Sequence, residues 1–304
     1  MRALLLAGLV LGSAAQAPAA VQVTDDAHHT ITLARPVARV ISAAPSLTEL
    51  LYEAGGGDRL VGTVDYSDYP TMARKVPRIG SNQKLDLERI ATLAPDLALV
   101  WFHGNATREV DQLAALGIPL FYLEPQRIQD IPSALERIGQ LMGTDRIAQA
   151  AAQRFRTRYA SLQARYAGRT PVRVFYQVEE NPLLTINDKQ IISDAIHLCG
   201  GINVFGPASM LVPQLSTESV VAANPDIILT SRWSTDGGQS AAPVRSPEDH
   251  SLKMWTRFSS MKAVKTGQLW LIPGDQISRH GPRILDGAQA ICTALDEARR
   301  GHGG

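Results

Sequence analysis

The sequence predicts an α/β protein with two Rossmann-like lobes, whose mainly parallel sheets are joined by one long rigid helix. Three observations support this: an internal duplication, an alternation of strand and helix patterns, and one long helical periodicity between the two copies. They place an N-terminal lobe at residues 37–129, a connecting helical region at 130–167 and a C-terminal lobe at 168–300.

The duplication is visible without any alignment. In residues 87–97 and again in residues 217–227, a glutamate is followed seven residues later by Pro-Asp and then by an apolar strand. A second pair of segments, 38–41 and 172–175, opens a strand that leads through a helical pattern to a glycine cluster. Repetition of this kind predicts two lobes of like architecture.

Within the first lobe, apolar runs alternate with helical patterns. The predicted strands are 37–43, 60–64, 97–102 and 120–123, and the predicted helices are 86–93, 107–116 and one capped by Ser46 or Thr48 that ends near Ala54. Between the lobes, helical periodicity over 131–166 is broken only by Gly143, which predicts a helix about 30 Å long from residue 144. In the second lobe, the polar segment 234–251 is predicted to be a surface insertion.

The first residues carry the pattern of an export signal. Arg2 precedes a short apolar run, and small residues then lead to a cleavage site after Ala17 or Ala19, so residues 1–19 are predicted to be a signal peptide. The run is shorter than the roughly 20 residues that span a bilayer. We therefore expect a soluble protein in an oxidising compartment. There, Cys199 and Cys292 form a plausible disulfide, although two separate buried thiols are the alternative.

Charge and motif content exclude several functions. Lys and Arg number 30 against 29 Asp and Glu, a balance that argues against nucleic-acid binding. The sequence has no P-loop, no G-x-S-x-G, no H-E-x-x-H and no C-x-x-C, and its seven histidines lack metal-ligand spacing. We therefore predict neither an enzyme nor a metal site, but a protein that captures a ligand in the cleft between its lobes.

Two aromatic residues follow strands of the first lobe at the ends where such a cleft lies. Tyr66 follows the second predicted strand and Trp101 ends the third, each next to a short polar run. Flat aromatic side chains suit a large planar ligand, although both residues are also compatible with an ordinary core.

A set of short motifs runs through nearly the whole predicted mature chain. They are 39–42 (RVIS), 45–49 (PSLTE), 66–70 (YSDYP), 87–97 (LERIATLAPDL), Trp101 with 104–105 (GN), 110–114 (VDQLA), 199–205 (CGGINVF), 213–216 (PQLS) with Glu218, and 282–284 (PRI). Together they resemble periplasmic cobalamin-binding proteins that feed an ABC importer, within a superfamily with a helical backbone that also binds heme and siderophores. The resemblance implies a periplasmic monomer that binds cobalamin or a related corrinoid as transported ligand, without a cofactor, and docks on the importer's permease.

The resemblance also implies roles for individual residues. Ligand contacts are expected from Tyr66 and Trp101 in the first lobe and from Asp275, Gln276, Ile277, Ser278 and Arg279 in the second. Glu88 and Glu218 match the carboxylates that dock the permease, although glutamates there also complement helix dipoles. Cys199 and Cys292 match the family disulfide.

The sequence departs from the family pattern at several ligand positions. Asn82 and Val212 stand where a tryptophan is usual, Leu184 replaces a phenylalanine, and Gln276-Ile277 replaces an aromatic pair. Trp233 and Trp255 are candidates to compensate.

Two other functions remain open from the sequence. A heme or ferric-siderophore carrier on the same fold is the main alternative, with Tyr66, His103 or His280 as candidate axial ligands for heme iron. An exported enzyme or a structural envelope module would need features, such as a nucleophile–base pair, that the sequence does not show.

Overall fold

The computed structural model describes residues 20–233 and 242–301. The predicted signal peptide and part of the predicted surface insertion, residues 234–241, lie outside the described residues. No helix in the described ranges is long and apolar enough to cross a membrane.

The first lobe contains a four-stranded sheet of parallel strands in the order β4-β3-β5-β6. It follows an N-terminal hairpin of β1 (Val21–Thr24) and β2 (Thr30–Leu33), which the sequence did not predict. The elements of the lobe are β3 (Val40–Ser42), α1 (Pro45–Glu53), β4 (Leu60–Thr63), α2 (Leu87–Leu93), β5 (Leu97–Trp101), α3 (Thr107–Ala115) and β6 (Leu120–Leu123). The predicted strands and helices are therefore confirmed to within a few residues.

The start of α1 differs from the prediction. The helix begins at Pro45, its N-cap is Ala44, and no side chain caps it, so Ser46 and Thr48 are not caps. Proline at the first helical position fixes φ and needs no hydrogen-bond partner for a backbone N–H. Thr48 is instead fully buried, and its hydroxyl lies 2.6 Å from that of Thr63 at the end of β4.

Two helices connect the lobes, α4 (Ile131–Met142) and α5 (Asp145–Tyr166). Gly143, with φ of 62°, ends α4 in a left-handed conformation, as its place in the helical pattern predicted. The 22 residues of α5 make a helix about 33 Å long, which confirms the long connecting helix. Phe155 and Leu162 on α5 belong to one hydrophobic cluster that contains core residues of both lobes.

The second lobe repeats the parallel sheet and adds one antiparallel edge strand, β12, in the order β10-β7-β11-β13-β12. Its elements are β7 (Val172–Gln177), β8 (Glu179–Glu180), β9 (Leu183–Leu184), α6 (Ile191–Leu198), β10 (Gly201–Asn203), α7 (Thr217–Ala223), β11 (Ile227–Arg232), β12 (Val244–Arg245), α8 (His250–Lys253), α9 (Lys262–Lys265), β13 (Leu269–Pro273), α10 (Gly274–Ile277) and α11 (Ile284–Gly301). The first four strands correspond in order to β4-β3-β5-β6, so the duplication extends to topology.

The repeated Pro-Asp motif forms the same corner in both lobes. The residue after each short helix is left-handed, Ala94 with φ of 43° after α2 and Asn224 with φ of 44° after α7. Asp96 then accepts a 2.9 Å hydrogen bond from the backbone N–H of Arg39, and Asp226 accepts one of the same length from Arg173. Each motif therefore fastens a short helix to the first strand of its own sheet.

The second lobe has a further core beside the shared one. Trp255 is fully buried there and packs edge-on against Phe175, so it cannot compensate for missing aromatic residues in a cleft. Cys199, just after α6, and Cys292 on α11 form the predicted disulfide, with a sequence separation of 93 residues.

Replacing both cysteines with serine is expected to lower the free energy of unfolding by about 2–5 kcal/mol, because the cross-link restricts the unfolded chain. Denaturant unfolding of the double variant measures this change, and the wild-type protein unfolded with and without reductant is the control. Equal stability of variant and oxidised wild type would contradict the prediction.

Candidate functional site

A cavity of about 520 Å³ lies between the lobes. It is lined by Pro45, Ser46, Asp65, Tyr66, Asp68, Asn82, Trp101, Trp233, Asp275, Ser278, Arg279 and His280. Most of these residues follow the carboxyl ends of parallel strands: β4 precedes Tyr66, β5 ends at Trp101, β11 precedes Trp233, and β13 precedes Asp275. Ligands bind at this end of open α/β sheets, so the cavity is the candidate binding site.

Tyr66 is held out of the core by its backbone. Its φ is 61°, a left-handed conformation that is rare for a bulky residue, and the residue is 76% exposed. The Arg279 guanidinium of the second lobe donates a 3.1 Å hydrogen bond to the Tyr66 carbonyl. An exposed aromatic ring on a strained backbone is typical of a binding surface rather than of packing. The alternative that Tyr66 is a core aromatic is therefore wrong.

Trp101 is positioned by the Gly104-Asn105 pair that follows it. A Cβ atom on Gly104 would lie 1.9 Å from the Trp101 indole, so only glycine leaves room for the ring. The Asn105 side chain accepts a hydrogen bond from the Trp101 backbone N–H and donates to the Asn82 carbonyl, both at 2.8 Å. Asn105 thus fixes Trp101 and Asn82 relative to each other, a role that the sequence analysis missed.

His280 also lines the cavity, a position that the sequence analysis did not assign to the cobalamin site. Its ring lies edge-on to Trp101, with 5.8 Å between ring centroids, and its Nδ1 is 3.1 Å from the Pro125 carbonyl oxygen. Burial lowers the pKa of the His280 imidazole, although the hydrogen bond to Pro125 acts in the opposite direction.

The loop 275–279 presents only some of its residues to the cavity. Asp275, Ser278 and Arg279, spaced three and four residues apart, line it. Ile277 is fully buried in the hydrophobic core, and Gln276 is also buried outside the cavity lining. This corrects the prediction that the whole loop faces the ligand, because α10 turns the two intervening side chains inward.

Other predicted residues lie outside this cavity. Leu184 is half-buried in β9 and Val212 is exposed, but neither lines the cavity, and their contact with a ligand stays a prediction. Trp233 does line it, as one of the two tryptophans considered as compensation. Glu88 and Glu218 are exposed in the first turns of α2 and α7, at equivalent positions of the two lobes.

A buried ion cluster lies behind the cavity wall. Glu49 of α1 accepts hydrogen bonds from Arg279 at 3.0 Å and from Arg283 at 2.6 and 2.9 Å, and Arg279 also contacts Asp275 at 2.7 Å. All four residues are at most 7% exposed. The two carboxylates balance the charge of the two guanidinium groups. Glu49 comes from the first lobe, and the other three residues come from the second. The cluster therefore joins the lobes, and two of its members, Asp275 and Arg279, also line the cavity.

A comparison with protein families matches residues 40–276 to the family described as Periplasmic binding protein. The chain belongs to this family. Among curated members, it is 39% identical over 262 residues to a protein named Vitamin B12-binding protein from Yersinia pestis, covering 86% of this chain and 88% of that protein. A protein of the same name from Vibrio cholerae is 34% identical over 265 residues, covering 87% and 91%.

Solved structures of periplasmic binding proteins share the fold. The periplasmic vitamin B12-binding protein BtuF of Vibrio cholerae aligns with a TM-score of 0.76 and 33% identity over 87% of this chain and 99% of that one. The periplasmic heme-binding protein HutB of the same organism aligns with a TM-score of 0.70 and 23% identity, over 84% and 98%, which shows the fold alone.

The buried ion cluster generates a test of how the lobes are joined. Glu49→Gln is expected to lower the free energy of unfolding by about 3–5 kcal/mol, because it removes the carboxylate shared by Arg279 and Arg283 and leaves the buried cluster with two guanidinium groups and the single carboxylate of Asp275. Thermal and denaturant unfolding measure the change. Glu53→Gln on the same helix is the control, because its pair with Arg154 is solvent-accessible and contributes at most about 1 kcal/mol. Equal losses in the two variants would contradict the assignment.

Proposed function

We propose that the protein is a periplasmic, monomeric and non-enzymatic carrier that captures cobalamin, or a related corrinoid, between its lobes and delivers it to the permease of an ABC importer. The observation that carries the proposal is the inter-lobe cavity with the aromatic residues Tyr66, Trp101 and Trp233 in its lining. Its relatives named for vitamin B12 binding support the same ligand.

The polar residues of the cavity suit a corrin ring. The periphery of cobalamin carries neutral amide groups, which both donate and accept hydrogen bonds. Asn82 can do both as well, Ser278 supplies a hydroxyl, and the carboxylate of Asp275 can accept from an amide N–H. Flat aromatic faces beside a few polar groups match a large macrocycle with an amide-rich rim.

The charges of the lining disfavour the heme and siderophore alternatives. Heme carries two propionate carboxylates, and many ferric siderophores are anionic. The cavity lining contains the carboxylates Asp65, Asp68 and Asp275, of which Asp68 pairs with Arg78 and Asp275 pairs with Arg279. The guanidinium group of Arg279 is shared with Glu49 as well, and no lysine is among the described lining residues. A ligand carboxylate would therefore meet no uncommitted guanidinium or ammonium group there, whereas a corrinoid with amide substituents needs none.

Calorimetric titration of the purified mature protein with cyanocobalamin tests the proposal. One-to-one binding at micromolar affinity or tighter is expected, and Tyr66→Ala and Trp101→Ala should each weaken it by about 1–3 kcal/mol through lost aromatic contact. Phe102→Ala is the control, since Phe102 adjoins Trp101 but does not line the cavity. No cyanocobalamin binding, with hemin bound instead, would overturn the proposal. Unchanged affinity in both cavity variants would show that the ligand lies elsewhere.

Delivery is tested at the two exposed glutamates. Because Glu88 and Glu218 lie outside the cavity lining, the double variant Glu88→Lys/Glu218→Lys is expected to keep its affinity for cyanocobalamin. It should lose most ligand uptake into vesicles that contain the importer, because the new lysines would repel a basic docking surface. Asp111→Lys/Glu248→Lys, also one exposed carboxylate per lobe, is the matched control. Equal uptake by both double variants would refute the docking role.

A further inference from the structure

His280 is the one histidine among the described residues that line the cavity. One ring nitrogen of its imidazole is held by a hydrogen bond, and the other can give its lone pair to a metal. A backbone carbonyl can only accept a hydrogen bond, so the 3.1 Å contact with Pro125 requires the proton on Nδ1. In this tautomer Nε2 carries the unprotonated lone pair. No hydrogen bond or ion pair of Nε2 is found within residues 20–233 and 242–301.

This arrangement is the one that prepares a histidine for metal coordination. Metal-binding histidines commonly donate their second ring N–H to a backbone carbonyl or carboxylate, which fixes the tautomer and aims the other nitrogen at the metal. In this protein, the Pro125 carbonyl supplies that contact from the loop after β6. The described residues contain no cluster of three or more ligating side chains that would hold a free metal ion. The donor therefore suits a metal that arrives already chelated.

The position of the ring is also fixed from its other sides. The preceding residue, Arg279, is held by Glu49, Asp275 and the Tyr66 carbonyl. The Trp101 indole meets the imidazole edge-on at 5.8 Å. The His280 ring therefore lies against Trp101 and follows directly after a residue held by the ion cluster, and both restrict how far the ring can turn.

We propose that His280 Nε2 is an axial ligand of the cobalt in a corrinoid held in the cavity. This inference rests on the proposed function and adds a direct bond between protein and cargo. In the step, the bond between cobalt and an axial water breaks, a bond between cobalt and Nε2 forms, and water leaves. Cobalt keeps its oxidation state and no proton moves, because the tautomer that donates Nδ1–H to the Pro125 carbonyl has no proton on Nε2. A corrinoid with an exchangeable axial water forms the bond, whereas cyanocobalamin, with its tightly held cyanide, binds through the cavity alone.

Visible absorption spectroscopy of the full mature protein tests the proposal with aquocobalamin and cyanocobalamin as probes. Aquocobalamin bound to the wild type is expected to show the band shift that free imidazole produces in solution, and cyanocobalamin is expected to show none. His280→Gln should lose the shift, and its affinity for aquocobalamin should fall more than its affinity for cyanocobalamin. His280→Asn is a second variant, and thermal unfolding reports that each variant is folded. His103→Gln is the matched control, since His103 pairs with Glu124 and does not line the cavity.

The outcomes separate this inference from the proposed function. Cyanocobalamin binding without any imidazole-type shift of aquocobalamin would overturn the axial bond and leave the carrier function intact. A shift that persists in both His280 variants would assign the donor to another residue and also overturn it. Failure of the wild type to bind either probe would overturn the proposed function itself.

Discussion

The site depends on the fixed relation between the two lobes. Glu49 of the first lobe is enclosed by Arg279 and Arg283 of the second, and charge-assisted hydrogen bonds to its carboxylate fix where α1 lies against that lobe. An opening that pulls α1 away from the second lobe would have to break these bonds together. The hydrophobic cluster shared by α5 and both lobes opposes the same movement, because opening would expose apolar surface.

The shape of the cavity depends on these contacts between the lobes. Arg279 contacts Glu49, Asp275 and the Tyr66 carbonyl, so one side chain links the ion cluster to both walls. On the first-lobe wall, Asn105 fixes Trp101 and Asn82. Trp101, Asn82 and Arg279 are therefore held by contacts within the protein, so at these residues binding has less conformational freedom to remove.

Much of this could be predicted from the sequence. The repeated Pro-Asp motif indicated two like lobes because it forms the same corner in each of them. In each corner the aspartate, Asp96 or Asp226, accepts a hydrogen bond from a backbone N–H near the start of the first strand of the sheet. Tyr66, Trp101, Asp275, Ser278 and Arg279, for which ligand contacts were predicted, line the cavity, and their contact with a ligand stays a prediction. Local patterns could not give the inward turn of Gln276 and Ile277, which depends on how α10 packs on α11. They could not give the burial of Trp255 or the contact of His280 with Pro125 either, since tertiary packing decides both.

The buried contacts between the lobes also have a consequence for the proposed delivery of ligand at the membrane. A carrier of the kind proposed, with its lobes held by these contacts, would present the same rim, with Glu88 and Glu218 at the same separation, whether its cleft is full or empty. Empty copies would then compete with loaded copies for the proposed permease. A cell that makes much more carrier than there is ligand to fill it would slow its own uptake, so supply of the carrier and supply of the ligand have to be matched.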